Sequence, residues 1–84
     1  MTAMSDQAIE RDVMQIYEFI RDFIDENEFA PSLRDIASGC YMAQSTVTYR
    51  LAKLEAKGWI VREFGIARSI RLGEYAPDAR APAE

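Results

Sequence analysis

The hydrophobic period of this chain changes once, at Gly58, and that change limits the folds open to it. Before Gly58, apolar residues recur at the spacing of α-helices, whereas two short runs rich in β-formers, 59–63 and 68–72, follow it. Gly65 lies in the connection between these runs, which favours a hairpin. We therefore predict a mainly α domain with a small antiparallel β-hairpin, in the order helix, helix, short turn, helix, hairpin.

Three segments carry the helical period. The first, 6–26, has one broad apolar stripe, made of Ile9, Val13, Ile16, Tyr17, Ile20, Phe23 and Ile24. The second, 33–40, follows Ser32 and Asp35, which have the spacing of a capping box. The third, 44–57, has an inner stripe of Val47, Leu51 and Leu54, and glycine at position 58 is a typical helix stop.

The boundaries of the domain follow from composition. We expect residues 1–5 to fray and residues 6–72 to form the folded domain. Residues 73–84 alternate Ala and Pro without periodic bulky side chains, so they are expected to form a disordered tail. A chain of 84 residues has room for one small core and little else.

Several residue types that catalysis requires are missing or unpaired. The sequence has no histidine, the commonest general base and metal ligand, and its serines and tyrosines therefore lack that partner. The single cysteine excludes an intramolecular disulfide and fits a reducing compartment. No apolar run has membrane-spanning length, and no signal peptide is visible. We expect a cytoplasmic protein that is not an enzyme, without metal, cofactor or membrane partner.

The charge is unevenly distributed along the chain. The formal net charge of −4, taken whole, argues against a generic polyanion binder. Residues 1–42 carry three basic and nine acidic side chains, a net charge of −6. Residues 43–72 carry six basic and two acidic side chains, a net charge of +4. Residues 73–84 carry one basic and three acidic side chains, a net charge of −2. The positive part coincides with the third helix and the hairpin. Phosphate contacts need local positive potential rather than a positive average, so DNA remains a candidate partner.

The outer face of the third helix is small and rich in hydroxyl groups. Opposite Val47 lie Ser45, Tyr49, Ala52 and Ala56, flanked by Thr48 and Lys53. Such a face can approach a major groove closely while its polar groups contact base edges. The alternative is that the alanines merely favour helix.

Combined, these segments resemble a known family. Ile36-Ala37, Ser45-Thr46-Val47, Leu51, Leu54-Glu55, Lys57-Gly58 and Ile60 resemble the winged helix-turn-helix of bacterial transcription factors. Phe19-Ile20-Arg21-Asp22, Glu26-Asn27, Pro31-Ser32, Arg34-Asp35 and 65–72 resemble the DNA-binding domain of the LexA repressor family. The resemblance spans roughly Val13 to Leu72, and its combined spacing is more specific than any one piece.

The resemblance implies a three-helix winged helix-turn-helix and a function. We expect a sequence-specific regulator that binds double-stranded DNA as a repressor, with helix 44–57 in the major groove and hairpin 59–72 as the wing. A bacterial or phage protein associated with the nucleoid is implied. The expected base-reading residues are Gln44, Ser45, Thr48 and Tyr49. The expected backbone contacts are Ser32, Thr46, Arg50, Lys53, Arg62, Arg68 and Arg71. The six basic side chains of residues 43–72, if all contacted phosphates, would give a log–log salt slope no steeper than about −5 per chain.

The sequence also departs from the family pattern. Tyr41 stands where the turn usually has glycine, and that turn is one residue shorter than in many LexA proteins. Ala43 replaces the usual serine cap, at a cost of about 1 kcal/mol. The wing tip carries Phe64 and Ile66 in place of polar residues. The self-cleaving, dimerising C-terminal domain of LexA repressors has no counterpart in these residues, so autoproteolysis is not inferred.

Two other interpretations stay open. In one, the winged helix is a protein-recognition module whose acidic first helix and Phe64/Ile66 tip bind another regulator or a polymerase subunit. In the other, the chain forms a homodimer on a palindromic DNA site. The candidate contact residues for such partners are Met14, Phe19, Phe64 and Ile66.

Overall fold

Three helices followed by a two-stranded sheet make up the structure, a computed structural model that describes residues 3–63, 65–66 and 68–77, with side chains from Arg11 onward. The elements are α1 (Ala3–Asn27), α2 (Leu33–Cys40), α3 (Gln44–Lys57), β1 (Ile60–Val61) and β2 (Arg71–Leu72). The strands are antiparallel, with Ile60 opposite Leu72 and Val61 opposite Arg71. The predicted fold class is confirmed. α1 begins at Ala3 rather than at position 6, since Ala3 and Met4 both favour helix.

The core lies where the three helices meet. α1 packs against both α2 and α3, and α3 also contacts β1. The predicted stripes are largely buried. The buried apolar residues are Val13, Ile16, Tyr17, Ile20, Ala30, Ile36, Ala37, Cys40, Val47, Leu51, Leu54, Ile60, Ile70 and Ala76. Phe19 and Ile24 pack against this core while partly exposed. The side chain of Ile9 lies outside the described residues.

The ends of α2 show how local sequence positions the helix-turn-helix. The predicted capping box is present, because the Ser32 hydroxyl accepts the Asp35 backbone N–H and the Asp35 carboxylate accepts the Ser32 N–H, both at 3.0 Å. At the other end Tyr41 has φ 58°, a left-handed conformation. That conformation costs a residue with a Cβ about 1–2 kcal/mol. Tyrosine therefore occupies the turn at an energetic cost that glycine would avoid.

The turn leads directly into α3. Ala43 at its N-cap makes no side-chain hydrogen bond, as expected for alanine. At its C-terminus Gly58 adopts φ 78° and donates its N–H to the Leu54 and Glu55 carbonyls, which confirms the predicted helix stop. Both ends of α3 thus lie where the sequence pattern predicts them.

The wing has a shorter ladder than the sequence predicts. The β-rich runs 59–63 and 68–72 suggested longer strands, but among the described residues the paired strands are Ile60–Val61 and Arg71–Leu72. Beyond them the Ser69 hydroxyl accepts the Glu63 N–H at 2.9 Å and donates to the Glu63 carbonyl at 3.1 Å. A side chain therefore replaces the next pair of backbone hydrogen bonds. The left-handed conformations of Gly65 (φ 77°) and Arg68 (φ 57°) interrupt the regular strand geometry.

Residues 73–77 differ from the predicted disordered tail. The Gly73 N–H donates to the Trp59 carbonyl at 2.7 Å, and the Tyr75 N–H donates to the Gly58 carbonyl at 3.0 Å. Ala76 is buried in the core. A Cβ at Gly73 would lie 2.3 Å from the Gly58 oxygen, so glycine permits this close approach. Composition did not predict that these residues pack, because it reports which bulky side chains are present and not which backbone groups form hydrogen bonds. Residues 78–84 lie outside the described residues.

Candidate nucleic-acid interface

The four predicted base-reading residues lie together on the exposed side of α3. Gln44, Ser45, Thr48 and Tyr49 are all exposed, within the first two turns of the helix. They share that side because Val47, Leu51 and Leu54 hold the opposite face in the core. The structure therefore presents a continuous polar strip beginning at the N-terminus of α3.

Thr48 has a restricted hydrogen-bonding role. Its hydroxyl donates to the Gln44 carbonyl at 3.0 Å, one turn earlier in the helix. The proton is thereby used within the helix, leaving the oxygen lone pairs and the methyl group facing outward. Thr48 can accept a hydrogen bond or pack against an apolar group, such as the methyl of thymine.

Tyr49 is an exposed aromatic residue with two cations near its ring. Tyr49 as a whole is 56% exposed. The Arg50 guanidinium lies 5.3 Å from the ring centroid and the Lys53 ammonium 5.2 Å from it. Both distances are within the range of cation–π attraction. Lys53, predicted as a backbone contact, therefore lies beside Tyr49, a predicted base-reading residue.

Three of the predicted backbone cations form ion pairs within the chain. Arg50 pairs with Asp12 of α1 at 3.3 Å, and Arg62 pairs with Glu55 of α3 at 3.1 Å. Arg68 pairs with Asp35 of α2 at 3.0 Å. These carboxylates were not among the predicted site residues. Two of the pairs join residues more than thirty positions apart, and no sequence pattern reports them.

Arg68 joins the wing to the start of α2. Its Nη1 donates to the Ala30 carbonyl and to the Asp35 carboxylate, each at 3.0 Å, and its guanidinium lies 5.2 Å from the Phe29 ring centroid. The Ser32 N–H is the main cause that holds the pKa of Asp35 below its ordinary value, and Arg68 acts in the same direction. Asp35 is therefore ionised at neutral pH and keeps the pair intact.

The remaining predicted backbone contacts differ in accessibility. Arg71 is exposed on β2, whereas Ser32 and Thr46 are half-buried at the starts of α2 and α3. The Ser32 hydroxyl and N–H both take part in the capping box. Between α3 and the wing lies a cleft of about 300 Å³, whose lining includes Thr48, Ile66 and Arg68. The wing and α3 therefore form two sides of one concave surface.

The family follows from comparison with known proteins. Residues 7–69 match the family model described as the LexA DNA binding domain, which is most of the chain. The chain belongs to the LexA DNA-binding domain family. It is 44% identical over 59 residues to a LexA repressor of Herpetosiphon aurantiacus, which covers 69% of this chain and 28% of the relative. A LexA repressor of Roseiflexus sp. is 37% identical over 76 residues, which covers 87% of this chain and 34% of the relative. The chain thus spans about a third of the length of these relatives.

The predicted partner contacts of this LexA-family domain differ in exposure. Met14 is 36% exposed on α1, and Ile66 is 57% exposed in the wing. Phe19 is partly buried against the core, and its ring fills the space beside Gly39, where a Cβ would lie 2.2 Å away. Phe64 lies outside the described residues. Of the described candidates, Met14 and Ile66 are therefore exposed, whereas Phe19 packs against the core.

Cysteine reactivity, metal binding and membrane crossing concern other features of this LexA-family domain. Burial raises the pKa of the Cys40 thiol, which disfavours the reactive thiolate. Within 3–63, 65–66 and 68–77, no group of three or more His, Cys, Asp or Glu side chains could hold a metal ion. No helix in these ranges is both long and apolar enough to cross a membrane.

Proposed function

We propose that this domain binds double-stranded DNA sequence-specifically and acts as a transcriptional repressor, with α3 in the major groove and the hairpin 59–72 as the wing. The exposed strip of Gln44, Ser45, Thr48 and Tyr49 carries the proposal. Membership of the LexA DNA-binding domain family and the names of its relatives support it. On this proposal the domain acts at chromosomal DNA, in the cytoplasm and in association with the nucleoid.

The exposed groups of α3 provide different kinds of base contact. The Gln44 amide has the donor and acceptor that pair with adenine in the major groove. The Ser45 hydroxyl can donate or accept a hydrogen bond. Thr48 offers only an acceptor oxygen and a methyl group, because its hydroxyl already donates to the Gln44 carbonyl. Tyr49 adds a flat apolar surface with a hydroxyl at its end. This combination favours a mixed recognition site over a run of guanines, which arginine or lysine side chains would read.

The backbone contacts come from the cations of α3 and the wing, together with two helix starts. Lys53, Lys57 and Arg71 supply charge directly, while Ser32 and Thr46 lie at helix starts, where backbone N–H groups attract phosphates. Arg50, Arg62 and Arg68 each carry a carboxylate neighbour, which offsets their charge locally. The local net charge is thus nearer three than six. We expect a log–log salt slope of about −3 per chain, shallower than the limit of about −5 from the sequence.

Fluorescence anisotropy with labelled duplexes tests the proposal. An unbiased selection first supplies the preferred duplex, and the isolated domain is then titrated with it and with a scrambled duplex at several salt concentrations. We expect tighter binding to the preferred duplex and a slope near about −3 on both. The stoichiometry shows whether one chain or two occupy a palindromic site. Salt-independent binding, or none to any duplex, would reject the proposal.

Arg68→Ala and Asp35→Asn are expected to change DNA affinity in opposite directions. Arg68→Ala removes a positive charge from the wing, so affinity should fall by about tenfold on every duplex and the slope should become shallower by about 1. Asp35→Asn keeps the shape of the capping residue but removes its charge, so affinity should rise and the slope steepen by about 1. Anisotropy at several salt concentrations measures both effects.

Opposite changes in DNA affinity for the two variants would distinguish an electrostatic effect from a structural one. If both variants bind more weakly with unchanged slopes, the contact between Arg68 and α2 acts only by holding the wing in place. Arg34→Ala serves as a matched control, because Arg34 is an exposed cation on α2 next to Asp35. A loss for Arg34→Ala as large as that for Arg68→Ala would show that any nearby cation suffices.

A further inference from the structure

Tyr49 is exposed to solvent, yet two cationic side chains lie close to its ring. More than half of its surface faces solvent, yet Arg50 and Lys53 lie 5.3 and 5.2 Å from its ring centroid. Lys53 lies one helical turn further along α3, so that contact is local. Arg50 is the next residue along the chain, and its guanidinium reaches the ring because of where α1 holds it.

Asp12 is the group that holds Arg50. Its Oδ2 lies 3.3 Å from Arg50 Nη2, and the Arg50 side chain is only 15% exposed. The Arg50 Nε is buried without a hydrogen-bond partner among the described residues. A partly buried ion pair with an unsatisfied donor contributes little net stability, because desolvation offsets the attraction. Stabilisation of the fold is therefore a poor explanation for this pair, whereas fixing the guanidinium beside Tyr49 is a direct geometric consequence of it.

We propose that Asp12 and Arg50 are positioning residues that set the base preference of Tyr49. The inference rests on the proposed DNA-binding function and names a determinant of its specificity outside the reading helix. A side chain already held in its bound orientation loses less conformational freedom on binding, and it favours one contact geometry over others. Asp12 contacts no base in this scheme. It acts through Arg50 on the orientation of the Tyr49 ring.

The test compares selectivity rather than affinity. Tyr49→Ala first identifies the base pair at which preference is lost, and anisotropy then gives the affinity ratio between duplexes that differ only at that pair. Asp12→Ala is expected to lower this ratio by about 3- to 10-fold. Asp22→Ala removes the same charge from the same helix, where Asp22 pairs with Arg21, and should leave the ratio unchanged. Both alanine variants should raise affinity for all duplexes slightly, because each removes a negative charge.

Two further variants exclude a purely structural role. Asp12→Glu retains the charge and should keep most of the selectivity. In the double variant Asp12→Ala/Tyr49→Ala, the ratio should equal that of Tyr49→Ala alone, since Asp12 acts only through the ring. Additive losses would overturn the proposal, as would a ratio for Asp12→Ala equal to that of Asp22→Ala.

The Tyr49 ring in the free protein gives a readout independent of DNA. Its aromatic NMR resonances should shift in Asp12→Ala and remain in place in Asp22→Ala, provided both variants give folded spectra. Unshifted resonances in Asp12→Ala would overturn the proposal even if selectivity fell. Absence of binding to any duplex by the unaltered domain would reject the proposed function, whereas selective binding that Asp12→Ala leaves intact would reject only the positioning role.

Discussion

Replacing Tyr17 by alanine is expected to lower the free energy of unfolding by about 3–5 kcal/mol. Tyr17 is fully buried and is among the largest side chains of the core. Its ring lies 5.5 Å from that of Trp59 in an edge-to-face contact, joining the middle of α1 to the base of the wing. A domain of this size has a total stability of about 4–13 kcal/mol, so the loss is a large fraction of it. Urea denaturation followed by circular dichroism measures the change.

Met14→Ala is the matched control for this prediction. Met14 lies on the same helix one turn earlier and is 36% exposed, and alanine is a better helix former. Its truncation should cost less than about 1 kcal/mol. Similar losses for both variants would contradict the assignment of Tyr17 to the core, because the effect would then not depend on burial.

The helices and their buried faces could be predicted because their signals are local. Helical periodicity places Val47, Leu51 and Leu54 on one face whatever packs against them. Capping boxes and glycine stops likewise depend on residues a few positions apart, as at Ser32 and Gly58. The short wing ladder and the packed segment 73–77 depend instead on contacts between separate elements, which a local pattern does not report.

The same distinction between local signals and contacts between separate elements applies to the candidate site. Helix geometry alone brings the four predicted base-reading residues to one side, so their clustering follows from spacing. The pairs Arg50–Asp12 and Arg68–Asp35 join residues 38 and 33 positions apart, and they exist only once the helices and the wing have packed. Sequence reasoning therefore counted these arginines as phosphate contacts with their full charge. The structure shows that each already has a carboxylate neighbour, which changes the expected salt dependence.

Tyr49→Ala is expected to reduce the preference among DNA sequences by more than it reduces non-specific binding. A good side-chain contact to a base edge discriminates by about 1–3 kcal/mol, so the affinity ratio between preferred and altered duplexes should fall by about 5- to 150-fold at one base pair. Binding to a scrambled duplex should change little, since Arg50 and Lys53 keep their charges. Competition titrations with single-base variants of the preferred duplex measure the ratio.

Tyr75→Ala provides the control, because Tyr75 is also an exposed tyrosine, 72% accessible, and lies beside Gly58 at the opposite end of α3. Its removal should leave the preference intact, because the C-terminal end of α3 lies more than two helical turns from the reading strip. A uniform loss on all duplexes for Tyr49→Ala would show that the ring acts as a general contact. A loss of preference confined to one base pair, absent in Tyr75→Ala, would place the specificity of this domain on the exposed ring of α3.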